Sequence, residues 1–315
     1  MQATLKIKEI LHVIETLDPQ TFDEKADNFT HLNKIVSEGN TTFLTNNEKI
    51  FQSYPLVSIL TFGQTFENGF EFSGTVKENE LRVFQAKVEN KKSDADDEII
   101  EVKYIQKPTK WAEVSNNLFA IVVTNSKKIA DFCELIELSY YYDTKSLSED
   151  EILSKLADQK VIDLLILHNC NPSSLKQEEL LEGLNKAVEV SLNNANFVKI
   201  LFTSFAKNVD SKLIFQKHLK QLEEDEKKKQ LLMDLIPNQT WQYNRGELVH
   251  QSGEGFSLML LATYKKNQNR TDSIKKLSDY SNVNNYSSIG GNIIVSSGFL
   301  REIMFELGKL PKFGA

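Results

Sequence analysis

The fold is decided by three short apolar runs, Leu118-Phe-Ala-Ile-Val-Val-Thr124, Val161-Ile-Asp-Leu-Leu-Ile-Leu167 and Val198-Lys-Ile-Leu-Phe-Thr203. They are rich in branched and aromatic residues, as strands buried on both faces tend to be, and each is too short for an independent helix. Segments with helical spacing separate them within residues 118–204. This alternation predicts a parallel α/β core.

The segments between the runs carry helix signals. Residues from Lys127 to Leu138 place apolar side chains at helical spacing, and Ser148-Glu-Asp-Glu151 is a capping-box pattern. Ser174-Leu-Lys-Gln177 repeats that pattern before a longer apolar stripe. Because crossovers between parallel strands are almost always right-handed, we expect helices to cover the faces of a parallel sheet.

The flanking segments complete a predicted mixed α/β fold. We expect N-terminal helices within residues 1–37, over 5–17 and 22–36, and an antiparallel meander within 56–106. The residues Gly39-Asn-Thr-Thr42 are predicted to be a loop, and Val57-Ser-Ile-Leu-Thr-Phe62 the first strand of the meander. A charged helix is expected over 210–236 and a boundary at Pro237-Asn238. Residues 1–236 then form the main domain, and 237–315 form a small β-rich segment with a hairpin and a helix, either separate or part of the same fold.

Composition narrows the class of protein. The chain has 315 residues and a net charge of −7, and this acidic balance argues against extensive nonspecific binding to phosphate backbones. Two cysteines indicate no disulfide framework, and five scattered histidines show no zinc spacing. The amino terminus does not resemble a signal peptide, and no apolar run approaches the roughly 20 residues that span a bilayer. We expect a soluble intracellular protein, cytoplasmic by default, with no membrane contact.

Small polar residues follow each predicted core strand. Asn125, Asn169 and Ser204 lie just beyond the three strands, and in parallel sheets ligands bind at the carboxyl ends. These residues are therefore candidates for binding a ligand, although Asn and Ser also terminate strands and cap helices without any ligand. His168 and Cys170 suggest a base and a nucleophile, but Asn171-Pro172 indicates that the strand has already turned. No phosphate-cradling glycine motif or hydrolase elbow is present.

One further pattern involves Glu71 on one predicted strand and Gln85-Ala-Lys87 on the next. Strand alternation places Gln85 and Lys87 on one face. The arrangement resembles the PD-(D/E)xK nuclease superfamily, although no Pro-Asp precedes the site and Gln replaces the usual acidic ligand. The resemblance implies that Glu71 binds a divalent metal such as Mg²⁺, that Gln85 adds a ligand, and that Lys87 orients the attacking water. It also implies helices before the meander, and the strand from Leu118 after it.

Three functions are compatible with these patterns. The favoured one is a noncatalytic interaction or structural protein, which predicts a protein partner or self-association and no deep polar pocket. The alternative is a metal-dependent nuclease, with nucleic acid as partner and Mg²⁺ as its only cofactor. The third is an α/β enzyme with its site at Asn125, Asn169 and Ser204, which requires the three strands to be adjacent and parallel.

Overall fold

The computed structural model describes fourteen stretches of the chain, and all structural statements refer to them. They are residues 6–46, 55–61, 76–84, 88–91, 101–104, 109–145, 148–159, 161–169, 176–204, 243–244, 247–248, 257–267, 274–281 and 293–311. The predicted charged helix over 210–236 lies outside them. No helix in these stretches is both long and apolar enough to cross a membrane.

The strands and helices follow one another in a mixed α/β order. The strands are β1 Lys6–Ile14, β2 Asn40–Asn46, β3 Leu81–Arg82, β4 Val88–Lys91, β5 Glu101–Tyr104, β6 Ala120–Thr124, β7 Ser139–Tyr142, β8 Val161–Asn169, β9 Phe197–Phe202, β10 Tyr243–Asn244, β11 Glu247–Leu248, β12 Ser257–Lys265 and β13 Ile293–Val295. The helices are α1 Thr30–Glu38, α2 Pro55–Leu60, α3 Lys110–Val114, α4 Lys127–Leu135, α5 Glu149–Lys155, α6 Gln177–Asn194 and α7 Ser296–Glu306. Short 3₁₀ helices lie at Pro19–Thr21, Glu24–Asn28 and Leu277–Ser281.

Within the described stretches, nine strands form one sheet in the order β13, β2, β12, β9, β1, β8, β6, β7, β3. The five strands from β9 to β7 are all parallel, whereas β12 and β3 run antiparallel to their neighbours. Two separate ribbons pair β4 with β5 and β10 with β11. The mixed α/β fold class predicted from the sequence is therefore confirmed.

The core predicted over residues 118–204 is present. β6, β8 and β9 correspond to the three apolar runs, and the helices between them are α4, α5 and α6. Ser148 caps α5 through the predicted capping box with Glu151. The strand β7 was not predicted, although its sequence Ser-Tyr-Tyr-Tyr is rich in residues that favour strands.

The prediction of a helix over residues 5–17 is wrong. This segment forms β1, which lies between β8 and β9 at the centre of the sheet. Its apolar residues Ile7, Ile10, Leu11 and Ile14 fit helical spacing, but Leu11 and Ile14 pack on opposite faces of the sheet. A strand buried on both faces shows no period of two, so spacing alone cannot separate it from a helix.

Three neighbouring predictions also change. Val57 lies in helix α2, which begins at Pro55 in the position that proline favours and packs on α7. The predicted loop at Gly39-Asn-Thr-Thr42 is occupied mainly by β2. Of the helix predicted over 22–36, only the part from Thr30 is α-helical. The predicted meander does not form a single sheet in the described part of 56–106, because β3 pairs with β7, whereas β4 pairs with β5.

The helices cover both faces of the sheet. α1, α5 and α6 pack on one face, which we call the α6 face, and α2, α4 and α7 pack on the other, the α7 face. The elements β12, β13 and α7 come from the segment after the predicted boundary at 237, and both strands belong to the same sheet as the core. On the α7 face a buried Lys199 pairs with Glu9 of β1 and Glu306 of α7.

Candidate ligand-binding site

A cavity of about 550 Å³ opens at the carboxyl ends of β1, β6, β7 and β8. We call it the edge cavity. Its walls are largely apolar and come from the strands, from α5 and from α6. They include Ile14, Leu17, Val123, Ile152, Leu167 and Leu184. Parallel α/β sheets bind ligands at this end, and the volume lies within the usual range for small-molecule sites.

Strand register aligns a row of polar side chains along this cavity. Thr124 is opposite His168 on one side and Tyr142 on the other, so Asn125 continues the row between Asn169 and Asp143. The backbone N–H of Asp143 donates to the Thr124 carbonyl at 3.1 Å, which extends the ladder past the end of β6. Three neighbouring strands thus place an acid and two amides side by side.

The hydrogen bonds of this row are partly internal. Asn125 Nδ2 donates to Asn169 Oδ1 at 3.2 Å, and the Lys145 backbone N–H donates to Asp143 Oδ1 at 2.8 Å. The hydroxyl of Tyr141 lies 3.5 Å from Asp143 Oδ2, at the limit for a hydrogen bond. The hydroxyl of Thr16, which also lines the cavity, is buried and has no hydrogen-bond partner in the described structure. Buried polar atoms are seldom left without a partner, so Thr16 is a candidate to bond a group that enters this part of the cavity.

His12 forms part of the cavity wall further from the edge. A hydrogen bond of 2.9 Å joins its Nε2 to the hydroxyl of Ser191 on α6. Burial lowers the pKa of His12 to about 3, because the charged imidazolium would lose its hydration. At neutral pH this histidine is therefore uncharged, and it links the sheet to α6.

A second polar chain lies at the same edge and involves His168. His168 Nδ1 is 2.8 Å from the Thr124 hydroxyl, and its Nε2 is 3.0 Å from Glu15 Oε1. The order of hydroxyl, imidazole and carboxylate matches that of a hydrolase triad. However, Thr124 is only 2% exposed, and its hydroxyl also accepts a hydrogen bond from the Ser126 N–H. A buried hydroxyl that already has two hydrogen-bond partners is not placed to attack a substrate. We therefore interpret the hydrogen bonds among Thr124, His168 and Glu15 as structural links between neighbouring strands.

The charges that line the edge cavity differ in burial. Asp143 is 7% exposed, whereas Asp150, Glu179, Lys145 and Lys186 lie at the exposed rim. Among the residues that the structure describes, no three His, Cys, Asp or Glu side chains are grouped so that they could hold a metal ion.

The residues predicted to bind a ligand are only partly brought together. Asn125 and Asn169 contact each other, but the Ser204 hydroxyl donates to the backbone carbonyl of Glu15 and does not line the cavity. The strands β6, β8 and β9 are parallel as required, but β1 separates β8 from β9, so they are not all adjacent. Cys170, which the sequence suggested as a nucleophile with His168 as its base, lies outside the described residues.

The residues of the nuclease resemblance, Glu71, Gln85 and Lys87, also lie outside the described residues. Their proposed roles, including metal binding by Glu71, stay predictions. Of the order of elements that accompanied the resemblance, a helix and then the strand from Leu118 are found as α3 and β6, but the first described element is the central strand β1 and not a helix.

Sequence reasoning missed Asp143, Thr16 and His12. Asp143 follows the unpredicted strand β7, and three consecutive tyrosines before it were the available signal. Thr16 and His12 belong to the segment taken as a helix. Recognising β1 as a strand would have placed Thr16 at the carboxyl edge.

Comparison with known proteins gives little further information. No protein-family model matches the chain, and no curated protein matches it. A solved structure that does match is the cofactor-independent phosphoglycerate mutase from Thermoplasma acidophilum DSM 1728. It shares 10% sequence identity with this chain, covers 96% of this chain and 100% of its own, and has a TM-score of 0.46. A likeness this low assigns no activity to the chain.

The favoured prediction from the sequence, a noncatalytic interaction or structural protein, is contradicted, whereas its nuclease alternative gains no support. The solved structure that matches is that of an enzyme. The edge cavity, with largely apolar walls and a row of polar side chains, is also of a size that suits a small molecule.

Proposed function

We propose that the protein binds a small organic molecule in the edge cavity. The observation that supports this most strongly is the row of Asp143, Asn125 and Asn169 along a cavity of about 550 Å³ at the carboxyl edge of a parallel sheet. Apolar walls would desolvate the body of such a ligand, and the polar row would orient one end of it.

Gly183 of α6 offers a direct test. It lines the cavity, and a Cβ built at this position would meet no atom within 4 Å, so the space in front of it is open. Gly183→Phe should therefore fill the cavity without a backbone clash. Gly183→Ala is the matched control, because it adds only a methyl group and should stabilise the helix by about 0.5–1 kcal/mol.

The assay is a screen of a fluorinated fragment library by ¹⁹F NMR on the full chain. We expect fragments that bind the wild type and Gly183→Ala, and lose at least about tenfold in affinity with Gly183→Phe. Asn125→Ala should weaken the same fragments, because it removes a polar partner from the row. Equal binding to Gly183→Phe and wild type, or no fragment bound to a folded wild type, would refute the proposal.

A further inference from the structure

We infer that the edge cavity selects an uncharged ligand rich in hydroxyl groups and discriminates against its phosphorylated counterpart. This inference rests on the proposed function and names the chemical class of the ligand. Its basis is that the most buried charge on the cavity is a carboxylate, Asp143, whereas both described lysines of the lining, Lys145 and Lys186, lie at the exposed rim.

Both rim lysines also have an acidic neighbour. Lys186 Nζ donates to Glu182 at 2.8 Å along α6. The pKa of Glu78 is lowered by hydrogen bonds from Thr144 and also by the ammonium group of Lys145. The described lining carries three carboxylates, Asp143, Asp150 and Glu179, against these two lysines. A phosphate group bound next to Asp143 would therefore meet an unfavourable electrostatic potential.

The hydrogen-bonding groups of the cavity complement a hydroxyl. Asp143 can only accept when ionised, and its Oδ2 has only the long contact with Tyr141 within the described structure. The Thr16 hydroxyl neither donates nor accepts a hydrogen bond in that structure. One ligand hydroxyl can donate to Asp143 and a second, nearer β1, can exchange a hydrogen bond with Thr16, whereas a phosphate offers mainly acceptors. The row thus matches groups that both donate and accept.

The apolar walls add a second requirement. Val123 and Leu167 form the sheet side of the cavity, and Ile152 and Leu184 approach from α5 and α6. A linear polyol would leave these surfaces without a partner, whereas a nucleoside or a glycoside carries hydroxyls at one end and a ring face that can lie on them. Both belong to the shared class of neutral, ring-containing polyols.

Two matched pairs of probes test the charge preference and separate the two sources. They are adenosine with adenosine monophosphate, and methyl β-glucoside with methyl β-glucoside 6-phosphate, titrated against the full chain by NMR. We expect at least one neutral probe to bind, and its phosphorylated partner to bind at least about tenfold more weakly at low salt. The pair that binds identifies the source, nucleoside or sugar.

Variants then assign the preference to Asp143. Asp143→Asn keeps the shape and removes the charge, and it should bring the two affinities of a pair to within about threefold. Asp158→Asn removes an equal charge from an exposed position of the chain outside the cavity lining, and it should leave the ratio unchanged. Thr16→Val should weaken the neutral probe and leave the ratio as in the wild type, which keeps the test usable if Asp143→Asn does not fold.

The outcomes separate the inference from the proposed function. Tighter binding of a phosphorylated probe, or a ratio unaffected by a folded Asp143→Asn, overturns the ligand class and leaves the cavity as a binding site. Failure of all four probes, while fragments still bind the wild type and not Gly183→Phe, likewise overturns only the ligand class. If fragments bind Gly183→Phe as well as they bind the wild type, both the proposed function and the ligand class are refuted.

Discussion

Lys199→Met should destabilise the protein to an extent that depends on pH. Lys199 Nζ lies 2.8 Å from Glu9 Oε1 and also pairs with Glu306, and the Glu9 side chain is fully buried. The second oxygen of Glu9 has no hydrogen-bond partner in the described structure. Burial raises the pKa of Glu9, and Lys199 opposes that rise. Methionine keeps an unbranched apolar chain at position 199 and removes the cation.

The magnitude follows from the fate of Glu9 in this variant. A buried carboxylate without its cation takes up a proton rather than remain charged. The ordinary pKa of the group is 4.5, so holding the proton at pH 7 costs at most about 3.4 kcal/mol, from ~1.4 kcal/mol per pH unit. A carboxyl whose pKa is raised by folding contributes full stability below its unfolded pKa and loses it as pH rises. The destabilisation should therefore fall to about 0.7 kcal/mol near pH 5.

Urea unfolding at pH 5, 6 and 7, followed by circular dichroism, measures this difference between wild type and variant. The matched control is Lys186→Met, which breaks an exposed pair with Glu182 and should leave the free energy of unfolding nearly unchanged at every pH. If Lys199→Met destabilises the protein equally at pH 5 and pH 7, proton uptake by Glu9 is not the cause and the reasoning fails.

Three further predictions concern stability. Gly39→Ala would place a Cβ 2.1 Å from the Thr263 carbonyl oxygen, a backbone atom, so we expect a loss of about 3 kcal/mol in urea unfolding; an unchanged midpoint would contradict the packing of α1 on β12. The pKa of His12 is lowered to about 3, so its contribution to the free energy of unfolding is present above pH 6.5 and falls by about 2 kcal/mol between pH 7 and pH 5. His12→Asn should lack this part of the pH dependence of stability. Parallel pH profiles of the variant and the wild type would argue against burial of a neutral imidazole. Ser148→Ala should cost about 1 kcal/mol through the lost cap, whereas Ser126→Ala at the start of α4, where the side chain makes no capping bond, should cost much less in the same assay; equal losses would show that the cap is not the cause.

The parallel core could be predicted because its local signals agree with its tertiary role. The runs that form β6, β8 and β9 are short, branched and bounded by polar residues, and the Ser148 capping box marks the start of α5. β-Branched residues were less informative at Val57 and Ile59. There, Pro55 begins a helix whose apolar residues are all buried against the α7 face, so packing overrides strand propensity.

Residues of the candidate site could be predicted only where the strand before them had been recognised from the sequence. Asn125 and Asn169 follow recognised strands and contact each other at the carboxyl edge. Asp143 follows β7, which was not recognised, so the most buried carboxylate of the described lining was missed. The contribution of α6 could not be predicted either, because which face of a helix meets the sheet depends on the crossing of the two elements and not on the sequence of either alone.

The position of β1 links the error in the fold to the error in the site. If β8 and β9 were neighbours, Ser204 and Asn169 would lie at the ends of adjacent strands, as the predicted site requires. Because β1 lies between them, the Ser204 hydroxyl instead donates to the backbone carbonyl of Glu15. The next residue, Thr16, lines the cavity. The polar row therefore extends from Asn169 through Asn125 to Asp143, towards β7 and away from β9. The wrong period of one segment thus removes Ser204 from the predicted row, and the unrecognised strand β7 adds a buried carboxylate at the other end of it.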